Sequence, residues 1–413
     1  MSHSASIADF RAALTTPGAR MPVLMSLLAR MPIAMVGLAL LLYVQRETDS
    51  FTIAGFVSAG TLIGVAIGAV AQGRIMDRNG PTRPLLITTA LFVGSVVGEI
   101  AAIETGRPAA VLVGLGWVIG LTQPMIGSAS RALWTHLVPP GPIRHAAFAY
   151  EAISLEVFFI LGPALAGVMV AAPWPGTALV VSAACMSIGA AGFSLTGVVR
   201  AVRPVPSSGG SLLGALATPG MRTVALAALG FGVTIGFVEV AVPAAATKAG
   251  HAPLGGVMLA AWSLTSVIFG VWYAAHPWPR PMSLRLPFLL GVFALLIAPL
   301  AIPSSLLGLG LLSLVAGMWI TPQSTTHSTS IDLVAPPGTA TEAFGWVVTA
   351  VTVGLATGQS TSGYLVEHVG VWSSFVASSV AGLLIAVAVF TRRHTLTEQR
   401  SPAEEIAIVG ARV

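Results

Sequence analysis

Twelve continuously apolar stretches, each 20 residues or longer, follow one another along the chain with short polar breaks between them. About 20 apolar residues cross a hydrocarbon core as a helix, and only helices or closed barrels satisfy their backbone there. Barrel strands alternate apolar and polar positions every second residue. These stretches do not alternate, so the pattern predicts an all-α polytopic membrane protein. The spans run over 21–44, 51–72, 84–104, 109–134, 146–172, 176–199, 222–246, 253–275, 284–303, 305–329, 340–366 and 371–391. The split between spans nine and ten rests on Pro303-Ser304-Ser305 alone.

The pattern also contains an internal repeat. PPG at 139–141 is followed by HAAFAY at 145–150, and PPG at 336–338 by TEAFGW at 341–346. Phe148 precedes Gly162 by the same 14 residues that separate Phe344 from Gly358, and Gly167 matches Gly363. Two six-span repeats in the same orientation follow, the parallel arrangement found in transporters. Residues 200–221, rich in Pro, Ser and Gly, read as a linker between an N-terminal bundle (1–199) and a C-terminal bundle (222–391), with a tail at 392–413.

Composition agrees with a membrane protein. Only 8% of the 413 residues are charged and 55% are hydrophobic, against about 25% charged in a soluble domain, which excludes a soluble enzyme. Lys and Arg distribute unevenly. With both termini cytoplasmic, sixteen fall inside and three outside (Arg46, Arg107 and Lys248), leaving Arg30 within a span. The net charge of +5 is spread singly, with no run that would bind nucleic acid. The sole cysteine, Cys185, excludes a disulfide within one chain. The N-terminus lacks a basic region followed by an apolar one, so no cleaved signal is expected. The histidines show no metal-ligand spacing, and no Gly-rich phosphate loop is present, so neither a metal nor another cofactor is expected.

Between spans two and three stands GRIMDRNGPTRP, from Gly73 to Pro84. Asp77 ends a helix there, placed to pair with Arg78 or Arg83 or with a helix N-terminus of the other half. Gly73 and Gly80 permit a close approach and a tight turn. The counterpart loop, 276–285, keeps Arg280 and Arg285 but has no acid, so any latch is one-sided. A merely topogenic, solvated loop is the alternative. The segment resembles the loop signature of the major facilitator superfamily, with Gly73, Asp77, Arg78, Gly80 and Arg83 on matching positions. In span five, ILGPALAG (Ile160 to Gly167) resembles the glycine–proline element of that superfamily's drug:proton antiporters. Gly162, Pro163 and Gly167 match, and Ala166 departs from the pattern. The resemblance implies a gate at the loop that holds an outward-open state. The span-five residues then serve as a hinge, or as a thin surface for helix packing.

An ionisable residue inside a span costs about 2.5–3.5 kcal/mol or more and is a functional candidate by default. Arg30, Glu99, Glu156 and Glu239 qualify, with Glu151 nearer the cytoplasmic end of span five. In the superfamily fold spans one and five are neighbours, which implies an Arg30–Glu156 pair. Burial disfavours a charged carboxylate and a nearby guanidinium favours it, so Glu156 is the expected proton-coupling site, with Arg30 as partner and Glu239 second. A permanent structural ion pair is the alternative. Glu99, near the outer surface, is expected to snorkel outward.

The resemblance also implies a cavity lined by spans one, four, seven and ten. Trp117, Gln123 and Met125 of span four, Phe237 of span seven, and Trp319 and Gln323 of span ten are its candidate binding residues. Aromatic and thioether walls with a few amides suit a partly apolar organic molecule. The expected function is proton-coupled efflux of such molecules by a monomer in the bacterial inner membrane. Transport of a specific polar metabolite, such as a sugar or amino-acid derivative, is the alternative. The partners are therefore a small-molecule substrate, protons and the bilayer.

Overall fold

The structure, a computed structural model, describes residues 6–170, 172–204, 213–276, 278, 280–303 and 305–396, and every regular element among them is a helix. A short helix, α1 (Ile7–Thr15), comes first, its N-terminus closed by reciprocal Ser6–Asp9 hydrogen bonds. Hydrophobic scanning misses it because it is short and mixed in polarity. The first half continues with α2 (Arg20–Arg30), α3 (Ile33–Thr48), α4 (Phe51–Asn79), α5 (Thr82–Glu104), α6 (Ala109–Thr122), α7 (Ile126–Leu137), α8 (Pro142–Val170), α9 (Thr177–Leu195) and the short α10 (Gly197–Ala201). The second half holds α11 (Pro219–Lys248), α12 (Ala252–Ala275), α13 (Met282–Ile297), α14 (Leu306–Gly317), α15 (Ile320–Val334), α16 (Ala340–His368) and α17 (Val371–Thr391).

Eleven helical segments among the described residues are long and apolar enough to cross a membrane. The 29-residue α8 stands where the sequence places span five. The protein is a multi-pass membrane protein. Its outer surface carries apolar side chains such as Ile63, Ile87, Val97, Ile268 and Leu384, which hydrocarbon solvates without penalty.

Lipid tails are as apolar as leucine, so close packing and hydrogen bonds must hold such helices together. Glycine supplies the closeness. A Cβ on Gly64 of α4 would lie 2.6 Å from the Leu121 backbone nitrogen of α6. In the second half, a Cβ on Gly236 of α11 would lie 3.0 Å from the Gln359 nitrogen of α16, and one on Gly358 the same distance from the Phe237 nitrogen.

Spans one, four and ten are not continuous helices. Span one breaks at Met31–Pro32, span four at Gln123–Met125 and span ten at Met318–Trp319. A proline sits in or just beside each break (Pro32, Pro124, Pro322), where it removes a backbone donor. The freed backbone groups are met from neighbouring spans. Gln72 of α4 donates from Nε2 to the carbonyls of Leu121 and Gln123, both at 2.9 Å, and its Oε1 accepts from Met125 N–H at 3.2 Å. At the span-ten break Ser266 of α12 accepts from Thr321 N–H at 3.0 Å, while Thr265 donates to the Leu314 carbonyl at 2.9 Å. Span two thus supports span four as span eight supports span ten.

Candidate transport site

Three constellations of polar residues stand out, and the first and third join the two halves of the chain. The first lies at one end of the bundle, called here the basic end for Arg74, Arg78 and Arg144. Asp77 points at the start of α16, where its carboxylate accepts from the N–H groups of Thr341 at 3.0 Å and Glu342 at 2.7 Å. A carboxylate on a helix N-terminus satisfies orphan donors and complements the helix dipole. Gly73 permits the approach, since a Cβ there would stand 2.8 Å from Glu342 Cα and from the Thr341 carbonyl oxygen. Gly80 turns the chain out of α4 at φ +78°.

Arg78 and Arg83 are exposed and make no ion pair among the described residues. Arg74 makes it instead, donating to Glu342 Oε1 at 2.7 Å. The same buried oxygen accepts from Trp346 Nε1 and from Ala215 N–H of the chain leading into α11, each at 3.2 Å. Nearby, Arg144 grips both oxygens of Asp332 at 2.8 and 2.9 Å while donating to the carbonyls of Thr135 and Val138. Phe148 and Phe344, the two phenylalanines of the sequence repeat, meet edge-on with ring centres 6.0 Å apart. Beside these contacts, at the same end, lies a cavity of about 220 Å³ lined by Met76, Leu133, His136, Asp332 and Phe344.

Deeper lies a buried ion cluster. Arg30 pairs with Glu151, not with Glu156. Five residues along a helix rotate a side chain by about 140° and carry it about 7.5 Å. The Arg30 guanidinium meets the α8 face that carries Glu151 and Ser154, donating to the Glu151 carbonyl at 2.9 Å and the Ser154 hydroxyl at 3.0 Å. The second carboxylate oxygen of Glu151 accepts from Ser130 at 2.8 Å and Trp134 Nε1 at 3.0 Å. Arg131, buried alongside, lies within the field of both charges.

The third constellation is a carboxylate pair. Glu156, at the midpoint of α8, lies near the Ser263 hydroxyl of α12 and within the field of Glu239 of α11. Glu239 in turn accepts from Gln359 Nε2 of α16 at 2.8 Å. Neither carboxylate has a cationic partner within ion-pair distance among the described residues. Gln359 also forms part of the wall of an apolar groove of about 870 Å³ between α4 and α16, bordered by Ser58, Leu62, Ile67, Thr349 and Val353.

The remaining candidates are distributed unevenly. Gln123 and Met125 form the span-four break held by Gln72. Phe237 is buried, its carbonyl accepting from Ser362 at 3.0 Å. Trp319 adjoins the span-ten break with its ring 5.5 Å from Phe269. Gln323 is buried and bonds His327 at 3.3 Å. Trp117 is 38% exposed on α6 and lines neither cavity. Gly162 packs on α3, where a Cβ would lie 3.0 Å from that of Ala34. Pro163 and Gly167 belong to α8, but their surroundings lie outside the described residues. Glu99 does not snorkel: it is 0% exposed, and neither carboxylate oxygen has a partner among the described residues. It sits four residues beyond Ser95 on the buried face of α5, turned inward with Phe92 and Val96.

Sequence reasoning missed Gln72, Arg74, Arg144 and Glu342 as members of these sites. Glu342 had a signal, because it falls inside the repeat segment TEAFGW. Gln72, a lone amide within a span, had another.

Residues 23–358 match the Major Facilitator Superfamily. The chain belongs to that superfamily. It is a transporter and not an enzyme. Among curated proteins none matches the sequence significantly. Solved structures do. The human organic anion transporter MFSD10 (TETRAN) superposes with a TM-score of 0.65 at 18% identity, over 92% of this chain and 99% of that one. A bacterial homologue of the iron transporter ferroportin in its outward-facing state gives 0.71 at 14% identity, over 91% and 99%. At such identities the likeness establishes the fold alone.

Proposed function

We propose that this superfamily member is a proton-coupled exporter of small hydrophobic or amphipathic organic molecules, working by alternating access as a monomer in the bacterial inner membrane. The observation that carries the reading is the Glu156–Glu239 pair. Two carboxylates from opposite halves stand deep in the membrane within each other's field, Glu239 bonded to the neutral Gln359, and neither paired with a cation among the described residues. Two like charges within each other's field in a poorly solvated site disfavour double ionisation, so the pair is suited to load and release a proton as the halves move. The Arg30–Glu151 pair, held by Ser130, Ser154 and Trp134, is fully hydrogen-bonded at its carboxylate and serves as a fixed anchor between spans one, four and five.

In this reading the bundles 1–199 and 222–391 rock about that site, linked by 200–221, with both termini and the basic end facing the cytoplasm. Residues 205–212 of the linker and 397–413 of the tail lie outside the described residues. Asp77, Arg74, Glu342 and the Arg144–Asp332 bridge hold the cytoplasmic side shut. The apolar groove between α4 and α16 supports lipophilic cargo, since it opens between two membrane-spanning helices beside Gln359. A polar metabolite is the second reading, favoured by the buried polar run Thr321, Gln323, Thr325, Thr326 and His327 of α15.

Resistance profiling of cells expressing the protein separates the two: protection against lipophilic drugs supports export, and no shift for any of them supports the metabolite. Coupling is tested in proteoliposomes with an imposed pH gradient. Transport that follows the gradient in the wild type and ignores it in Glu156→Gln supports the assignment, and a variant that keeps the wild-type response removes it.

A further inference from the structure

The cluster around Glu151 contains more hydrogen-bond donors than acceptors. Glu151 is the one carboxylate among the groups named there, and both its oxygens are occupied: one by Arg30, the other by Ser130 and Trp134. Around it stand donors with nothing to donate to. Arg131 is only 8% exposed, yet its Nε has no hydrogen-bond partner, and no ion pair forms to it among the described residues. The Tyr150 hydroxyl, in the field of Glu151 and Arg30, is also without a partner, as is Nε of Arg30. Two guanidinium groups against one carboxylate leave a net charge of +1. On the far side, His327 of α15 lies in the field of Arg131, and the Oε1 of its partner Gln323 is unpaired.

Helix geometry adds to this positive field. α7 begins at Ile126, at a break inside the membrane and without a side-chain cap. Helix N-termini that end within the membrane present partial positive charge and free N–H groups to an anionic ligand. Arg131 sits in the second turn of α7, five residues from that terminus. A buried charge left unpaired is costly, and so is a buried donor without an acceptor. The arrangement makes physical sense if an acceptor arrives from outside the chain.

The geometry points to a binding subsite for an anionic group of the cargo, a carboxylate, sulfonate or phosphonate, formed by Arg131 with the Tyr150 hydroxyl and the Arg30 side chain, so that the transported molecules are organic anions. The inference rests on the transport reading and narrows it. In the closed state the gate residues Asp77, Glu342 and Asp332 seal the basic end beyond Arg131. The anion reaches Arg131 when the halves part.

The test uses full-length protein in lipid nanodiscs and four naphthalene probes of matched shape: the 1-carboxylate, the 1-sulfonate, the 1-phosphonate and the neutral 1-carboxamide. Affinity is read from calorimetric titration and from the ligand-induced rise in unfolding temperature. At least one anion is expected to bind about tenfold more tightly than the amide, the factor that one charge-assisted hydrogen bond supplies. Arg131→Gln brings anion affinity down to that of the amide, Arg131→Lys keeps part of the preference, and Tyr150→Phe weakens the anion by a few-fold. Equal binding of anion and amide, no binding of any anion, or an undiminished preference in Arg131→Gln overturns the proposal. The wild-type comparison needs no variant to fold. A pH-gradient experiment that fails while the anion preference holds removes the coupling reading alone, and the reverse result removes only this one.

Discussion

Replacing Asp77 by Asn weakens the closure of the basic end by an amount that can be worked from two hydrogen bonds. The carboxylate accepts from Thr341 N–H at 3.0 Å and from Glu342 N–H at 2.7 Å. A hydrogen bond to a charged group contributes about 1.5–3 kcal/mol, and one to a neutral group about 1 kcal/mol. Asparagine keeps one oxygen for one of the two donors and turns an amide N–H₂ toward the other. One charge-assisted bond is lost and the second falls to neutral strength, a deficit of about 2 kcal/mol after local relaxation. That shifts the closed–open equilibrium by roughly 30-fold, at about 1.4 kcal/mol per tenfold.

The readout is the accessibility of a buried wall of the gate cavity. Cys185 is the only cysteine, so a Cys185→Ser background carrying Ala129→Cys reports one position. Ala129 lines the cavity and is 5% exposed. When opening is fast relative to labelling, the rate of reaction with a polar maleimide follows the open population. Asp77→Asn is expected to raise that rate roughly 30-fold, as the deficit above implies. A rate within about threefold of the parent, a change under 1 kcal/mol, would refute the reasoning.

Three further perturbations have definite outcomes. Gly73→Ala places a methyl 2.8 Å from the backbone of Thr341 and Glu342, which cannot rotate away, so the same labelling rate rises without any change of charge. Arg144→Met breaks the two-pronged bridge to Asp332 and frees two carbonyls; about tenfold faster labelling is expected, from a loss of about 1.4 kcal/mol or more. Gln72→Leu removes three hydrogen bonds at the span-four break. At about 1 kcal/mol each it is expected to lose roughly 3 kcal/mol, read as a lower unfolding temperature in detergent.

The helical architecture was legible because lipid leaves a chain few choices: an apolar run of 20 residues that cannot hydrogen-bond to its solvent must bond to itself. Asp77 was legible for a related reason, since an acid beside glycines at a helix end has few roles. The breaks in spans one, four and ten were only half written, because a proline marks a possible break but not the side chain that heals it. Gln72 lies about 50 residues from the carbonyls it satisfies, and no local pattern encodes that distance. The exchange of partner at Arg30 has the same origin. Glu151 and Glu156 both lie on α8, and which of them meets span one depends on helix rotation, a tertiary quantity. Glu99 illustrates the converse: its depth along α5 was readable, but the face it occupies was not.

The central claim is that Glu156 and Glu239 carry a proton against the cargo, and the most direct measurement counts those protons. Purified protein is reconstituted into weakly buffered liposomes loaded with a cargo identified by resistance profiling and with a trapped pH-sensitive dye. Outward flow of cargo down its own gradient is expected to acidify the lumen in the wild type and to leave its pH unchanged in Glu156→Gln. Cargo leaving the wild-type vesicles with no change in lumen pH, or acidification that persists undiminished in Glu156→Gln, would contradict it.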